Sequence, residues 1–527
     1  MKNVEMKVDG NILTIKVDLT KDFGSSSSGK TIIIASTEGS VTADGYEKAK
    51  VGIAQKRSSG GTMRKRGTAK RWGDKRGYGI LLTLLLFMLA WSGVAAGAVI
   101  RDLGNLSQDL LSYPDRNTAD DPLLPPAEQA RLNAESILLY FAPWHRTEPR
   151  HTPEQASWGF REYAGTPGYG KGGRPHPKEW IRKMAANAHI DDYPQRMFPG
   201  VTVNRADFRI LPTREPHSRY PNGPGKDNPF DNLQESSAPS GMPVLVTLVS
   251  RDRKWFLAET SHLLGWVPAT DIAAVDPEFM KSWENGRYVA IVRDKAPVTI
   301  GKRVLFRAPL GAIFPTTGDD AERTWIWTAA RDARGNALLR KAAVGKGAAA
   351  EMPVPFTPNH VARLARELAG EPYGWGGLYG RRDCSALVRD IFAPFGLWLP
   401  RNSGDQAVAW KFISLKNLSS VEKEALIVRQ GAPWRTLLWT PGHIMLYIGV
   451  HQGRPLIFHN FWSIKTRDAD GKRGKIIVGR AAVTTLHPGG ELPNLDSSRS
   501  GILSGLEGMT LLGEPPENGT AKQETKP

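Results

Sequence analysis

Cysteine is almost missing: the 527 residues contain one, Cys384. A single thiol excludes an intramolecular disulfide and a thiolate zinc cluster, so Cys384 is a free sulfur. No HExxH or comparable grouping occurs among the 11 histidines, so neither a metal nor a cofactor is expected. Basic helices with interleaved aromatics are also lacking, which argues against a nucleic-acid partner. The excess of positive charge is smaller than it first looks. Of the net +17, residues 1–78 supply +8 (16 Lys and Arg against 8 Asp and Glu), leaving +9 for all the rest. Surface solvation explains that remainder, with weak attraction to anionic polymers as a further consequence. With 40% apolar residues the chain can fill cores for about three domains.

Long apolar runs are scarce as well. One stands out, Gly79 to Ile100, uncharged over 22 residues and placed directly after the basic stretch Arg64 to Arg76. Basic region, apolar region, then small residues is the layout of a signal sequence, with Ala96-Gly97-Ala98 as the cleavage site. Left uncleaved, residues 79–100 form a single membrane anchor. Residues 63–98 are accordingly assigned to export, which places the following chain in the periplasm or cell envelope. No cysteine stands at the end of the apolar run, which excludes a lipoprotein there. Residues 1–62 form an extra segment with strand-like alternation at Asn11 to Val17 and an apolar run at Thr31 to Ile34, read as a hairpin-like appendage or a mis-called start.

After the export region the texture changes twice. Residues 99–200 read as helical, with Ala127–Leu139 the clearest helix and Trp144, Trp158, Tyr163, Trp180 and Met184 as packing, a collar rather than a site. From 201 to 285 short apolar runs alternate with turns: Pro243 to Val249, Trp255 to Ala258 and Gly265 to Val267, with Trp255 and Trp266 as barrel core. A second such set fills 286–350 (Tyr288 to Val292, Val304 to Phe306, Ala312 to Phe314, Trp325 to Trp327), ending in a Gly/Ala/Lys-rich connector, Ala342 to Glu351. Strands at this spacing suggest one or two small β-barrels. Residues 351–490 form the last domain, and the Gly/Pro/Ser/Glu-rich tail 491–527 is expected to be disordered.

The last domain carries the chemistry. Thr357-Pro358 opens a helix, cap residue then proline. The loop Glu371-Pro372-Tyr373-Gly374-Trp375-Gly376-Gly377 leads into Arg382-Asp383-Cys384-Ser385-Ala386-Leu387, whose continuation has helical spacing. Cys384 thus falls in a first helical turn, where backbone N–H groups and the helix dipole favour a thiolate. A nucleophilic sulfur needs a proton acceptor. His443 supplies one, opening the strand-like run His443 to Val450 after the turn Pro441-Gly442. The turn Gln452-Gly453 returns the chain through Pro455 to His459, and His459 is the candidate to orient the imidazole, with Asn460 as the alternative. His451, at the hairpin turn, is expected to be merely solvated.

DCSALVRDIF preceded by EPYGWGG, with GHIMLYIGV and then LIFH, resembles the NlpC/P60 family of papain-like cysteine peptidases. NRADFRILPTREP, NPFDNLQESS and WFLAETSHLLGWVPATDIA resemble the bacterial SH3 domain that precedes the catalytic domain in one branch of it. The matches cover roughly residues 200–490. The resemblance implies an α+β architecture: a papain-like catalytic domain preceded by one or two SH3-like barrels and a helical N-terminal region. It implies a monomeric peptidoglycan hydrolase that cuts stem peptides or muropeptides between γ-D-glutamate and a diamino acid. In the roles it implies, Cys384 attacks, His443 is base then acid, His459 orients it and Tyr373 lies beside the cleft, while Asp383, Ser385, Asn402 and Ser403 contact substrate. In this branch the SH3 domain narrows the cleft and favours a free N-terminal L-alanine. Relatives that grip a free amine usually carry aspartate where this chain has Asn402. A charged hydrogen bond contributes about 1.5–3 kcal/mol, so its loss is expected to weaken ammonium binding. The competing readings are a non-catalytic wall-binding scaffold and a papain-like amidase or acyltransferase.

Overall fold

The computed structural model describes the strand segments 5–9, 12–16, 31–43 and 46–58, and residues 100–165, 168–221 and 229–516. The chain divides into two units, Met1–Val94 and Ala95–Pro527. In the first, Glu5–Asp9 pairs antiparallel with Ile12–Lys16, and Thr31–Ala43 with Tyr46–Ser58, two hairpins of which the sequence marks one strand each, by the alternation at Asn11 to Val17 and the apolar run at Thr31 to Ile34. The expected signal or anchor, residues 63–98, lies outside the described residues. Among the described residues no helix is long and apolar enough to cross a membrane.

The second unit begins with helices. Pro126–Phe141 starts on its own proline, and Pro153–Tyr163 carries a capping box in which Thr152 and Gln155 satisfy each other's backbone N–H. Trp180–Ala188 follows. Their apolar faces have no core of their own. Tyr140, Phe141 and Trp144 pack with Val201, Phe208 and Val244, while Phe160, Tyr163 and Ile181 pack with Leu248 and Trp266.

Both barrels are present, each a seven-stranded antiparallel sheet. The first runs from Phe198–Thr202 to Ile272–Ala274, with Trp266 fully buried. The second runs from Tyr288–Ile291 to Ala349–Glu351 around Val298, Phe314, Ile326 and Val344. The expected connector Ala342 to Glu351 needs correction. Ala337–Gly345 is a strand paired along its whole length with Arg323–Arg331, and Ala349–Glu351 is another. Ala342 and Val344 point inward and are buried, small residues filling a narrow barrel, so composition hides the strand.

In the last domain the helix Cys384–Phe392 packs on a six-stranded sheet ordered Lys411–Ser414, Gly508–Leu511, Thr436–Thr440, His443–His451, Arg454–Arg467, Arg473–Thr485. The expectation of a disordered tail from 491 is overturned for its first part. Gly508–Leu511 lies inside the sheet, bonded to Lys411–Ser414 on one side and Thr436–Thr440 on the other, with Met509 and Leu512 in the core. Four residues bonded on both edges outweigh the polar composition around them.

Candidate active site

The helix Cys384–Phe392 starts where the sequence predicts, capped by Asp383, whose carboxylate accepts from Ala386 N–H at 2.9 Å and Gly376 N–H at 3.0 Å. Cys384 is 7% exposed. The backbone N–H groups of Ser385 and of Ile444, the residue after His443, pull its pKa down, so the thiol lies near the start of the histidine strand. Its expected ionisation does not follow. Burial, then the charge of Asp383, pushes the thiol up to about 12, against the opposing pull of those N–H groups and Arg401. The helix is where it should be, but desolvation opposes its dipole and favours the neutral thiol.

His443 is linked to His459 by a bond from Nε2 to Nδ1 of 2.8 Å. His459, fully buried, reaches Thr484 Oγ1 with Nε2 at 3.0 Å, and that hydroxyl donates to the carbonyl of Thr485 at 2.8 Å. The direction of the chain follows from its end. Thr484 spends its only proton on the carbonyl, so it accepts from His459 Nε2–H. His459 Nδ1 then accepts from His443 Nε2–H, and the lone pair of neutral His443 is left on Nδ1. Burial depresses His443 to about 4 and holds His459 well below the usual imidazole range. Burial thus acts against charge on both the thiol and the imidazole.

Thr484 was not legible in the sequence. It belongs to Arg473–Thr485, opposite Ile457, two residues along from the partner of His459. This diagonal neighbour on the same face is apparent only once the register is known. Asn460 points to the other face and donates to the carbonyl of Arg382 at 2.8 Å, so it is not the residue that holds His443. His451 is exposed.

Tyr373 is buried. Desolvation, then the nearby charge of Asp383, pushes its phenol well up, leaving a protonated donor beside the sulfur. Its ring meets Trp462 at 6.1 Å and Phe230 at 6.0 Å, and Phe230 meets Trp375 at 5.3 Å. Phe230 comes from the first barrel, which presses on the glycine loop. Gly376 and Gly377 have φ of +55° and +79°, and a side chain on Gly377 would strike Ser237.

Asp383 and Ser385, expected to touch substrate, are both buried and share one partner. Arg401, buried, donates to Asp383 at 2.6 and 3.2 Å, to Ser385 Oγ at 2.8 Å and to Ser236 Oγ of the first barrel at 2.6 Å. A second buried arginine, Arg382, donates to Glu371 at 2.9 Å, to Asp390 at 2.7 Å and to Asp294 of the second barrel at 2.9 Å. Their local sequence carries no sign of either role.

Asn402 precedes the short helix Ser403–Val408 without a side-chain cap bond and is exposed, with Ser403 half-buried. Asn402 borders a cavity of about 110 Å³ together with Asp405, Glu235, His151 and Trp158. Burial raises the carboxyls of Glu235 and Asp405. The helical region thus contributes, through His151 and Trp158, to a cavity shared with the first barrel and the last domain instead of only encircling the barrel. Asp405 follows Asn402 by three residues, a spacing that could have flagged it. No group of three or more metal-ligating side chains is found among the described residues.

Residues 370–472 match the NlpC/P60 family, residues 80–193 the N-terminal stabilising domain of NLPC_P60, residues 216–268 an SH3 domain of SH3b1 type and residues 276–321 one of SH3b2 type. Among solved structures, an NlpC/P60 endopeptidase from Photobacterium damselae subsp. piscicida is 25% identical, over 78% of this chain and 98% of that one, with a TM-score of 0.69. An NlpC/P60 family protein from Bacillus cereus ATCC 10987 is 18% identical over 53% of this chain and 83% of its own, with a TM-score of 0.36. The peptidoglycan hydrolase RipB from Mycobacterium tuberculosis is 25% identical over 24% of this chain and 63% of its own, with a TM-score of 0.15. No curated protein sequence matches.

Proposed function

On the premise that the chain joins an NlpC/P60 domain to that family's stabilising domain and two SH3 domains, a cell-wall cysteine endopeptidase, we propose that it cleaves stem peptides between γ-D-glutamate and a diamino acid. The carrying observation is the directed chain Thr484, His459, His443, which leaves His443 Nδ1 as the acceptor on the strand whose next N–H meets the Cys384 sulfur.

Because thiol and imidazole rest uncharged, proton transfer accompanies attack. Cys384 Sγ bonds to the scissile carbonyl carbon as its proton passes to His443 Nδ1, and His459 disperses the imidazolium charge through the Nε2 bond. The Tyr373 hydroxyl donates to the developing oxyanion. The imidazolium then protonates the departing amine. Water, deprotonated by His443, releases the γ-glutamyl acid and restores the thiol. Glu235 and Asp405, beside uncharged Asn402, are the carboxyls placed to meet a free N-terminal ammonium, whose own charge draws them to the ionised form against their burial. A free L-alanine end is therefore accepted despite the asparagine, and N-acetylation of a defined tripeptide should raise KM more than it lowers kcat. The substrate implies an exported enzyme that works in the envelope on peptidoglycan or its fragments.

Mass spectrometry of products from defined muropeptides tests this reading. The wild type should release fragments cut after γ-D-glutamate, and Cys384→Ala should lose at least about 10⁴-fold in rate. Equal cleavage by both would overturn the mechanism. Retention on sacculi with no peptide released by either would favour the wall-binding scaffold.

A further inference from the structure

A second cavity, of about 300 Å³, lies away from Cys384 where the two barrels meet the rear of the nucleophile-bearing helix. Met242 of the first barrel, Phe314 of the second and Leu397 of the last domain give it an apolar wall. Its rim is strongly cationic, and the cations differ in how they are neutralised. Arg382, Arg389 and Arg401 are paired with carboxylates. Arg307 and Arg381 form no ion pair among the described residues. Arg307 donates to the carbonyl of Lys295, and Arg381 lies over the ring of Tyr379 at 5.8 Å. The wall also holds two buried ring nitrogens without a hydrogen-bond partner, Trp398 Nε1 and His262 Nδ1, on rings stacked 5.5 Å apart. A buried indole N–H with no acceptor is costly, and an apolar cavity alone does not relieve it.

We propose that this junction cavity binds a small amphiphilic oxyanion: an aliphatic body against Met242, Phe314 and Leu397, and a carboxylate or phosphate end that pairs with Arg307 and Arg381. An oxygen of the ligand accepts from Trp398 Nε1. Guanidinium groups take carboxylate and phosphate alike through paired N–H donors, so both ends satisfy the same contacts. Each of the three domains contributes a wall, so an occupant bridges the barrels to the helix that carries Cys384 without entering the cleft.

Calorimetry on the full chain with octanoate, octyl phosphate, octanol and octylammonium tests this. Both anions should bind saturably, octanol at least tenfold more weakly, and octylammonium not measurably. The stronger anion names the preferred end group. Arg307→Ala with Arg381→Ala should bring the anions down to the octanol affinity while octanol binding persists. Ala393→Phe, which fills the cavity, should remove binding of all four. Equal binding of octanoate and octylammonium, anion binding unmoved by the double substitution, or no saturable binding of any probe would each overturn the proposal. The double substitution lies on the rim, so the test survives if Ala393→Phe fails to fold.

Discussion

Two buried arginines, Arg382 and Arg401, lie near Cys384, and each anchors a different barrel. Arg401 holds one carboxylate, Asp383, and two hydroxyls, Ser385 and Ser236, the last from the first barrel. Arg382 is ringed by Glu371, Asp390 and Asp294, the last from the second barrel, with Lys295 and Arg389 closing the charge count at three against three. The Arg401 group ends on the cap of the nucleophile helix, whose carboxylate raises both Cys384 and His443. The Arg382 group touches the site through the backbone, where Asn460 grips its carbonyl. Two similar-looking ion-pair knots therefore differ in kind. The first sets the charge that Cys384 and His443 experience, and the second holds two domains together.

Substitution can break that distinction. Arg382→Met should have the largest effect, about 3–5 kcal/mol of stability by chemical unfolding, because it strands three carboxylates in low dielectric. The folded remainder should keep kcat/KM within about threefold, a rate ratio worth well under 1 kcal/mol. Arg401→Gln should divide the other way. Asp383 keeps its backbone donors from Gly376 and Ala386, so stability falls less. Loss of helix alignment should cost about 100-fold in kcat/KM, about 2.7 kcal/mol. If both variants lose stability and rate in the same proportion, the contrast is wrong.

The pH profile sharpens the comparison further. His443 is depressed to about 4 from 6.5, so it stays neutral and competent down to that range. Activity should fall only as pH drops through about 4, with no inflection near 6.5. The unneutralised Asp383 of Arg401→Gln favours the imidazolium and should move that limb upward, by about one unit or 1.4 kcal/mol, while Arg382→Met leaves it in place. Alkylation by iodoacetamide reports on Cys384 alone, since the chain has no other thiol. Its rate should be low at pH 7 and still rising beyond pH 9, the ordinary thiol value, because burial holds the folded thiol near 12. A rate that is flat from pH 5 to 8 would mean a resting ion pair, roughly the reverse order of the two pKa values. The smallest effect belongs to Ser236→Ala, which removes one barrel anchor of Arg401 and should cost about 0.5–1.5 kcal/mol in thermal unfolding.

What could be read along the chain was whatever is encoded within a few residues. Asp383 before Cys384, the turn ahead of His443 and the alternation of Pro243 to Val249 each name an element and a direction. The strand Gly508–Leu511 escaped because its partners lie about 70 and 95 residues away, and four residues have too little pattern to outweigh the polar text around them. Ala337–Gly345 escaped because alanine inside a narrow barrel looks like a linker. Thr484, Arg401 and Glu235 escaped for a related reason, since what they touch is set by register and docking.

By itself the amino-acid order determined which groups could react, where their helix and strand begin, and that only one sulfur was available. The tertiary structure decided their protonation and aim. An ionisation equilibrium depends on water excluded and charges brought near from anywhere in the chain, so a helix start that favours a thiolate in isolation holds a neutral thiol once it is buried beside Asp383.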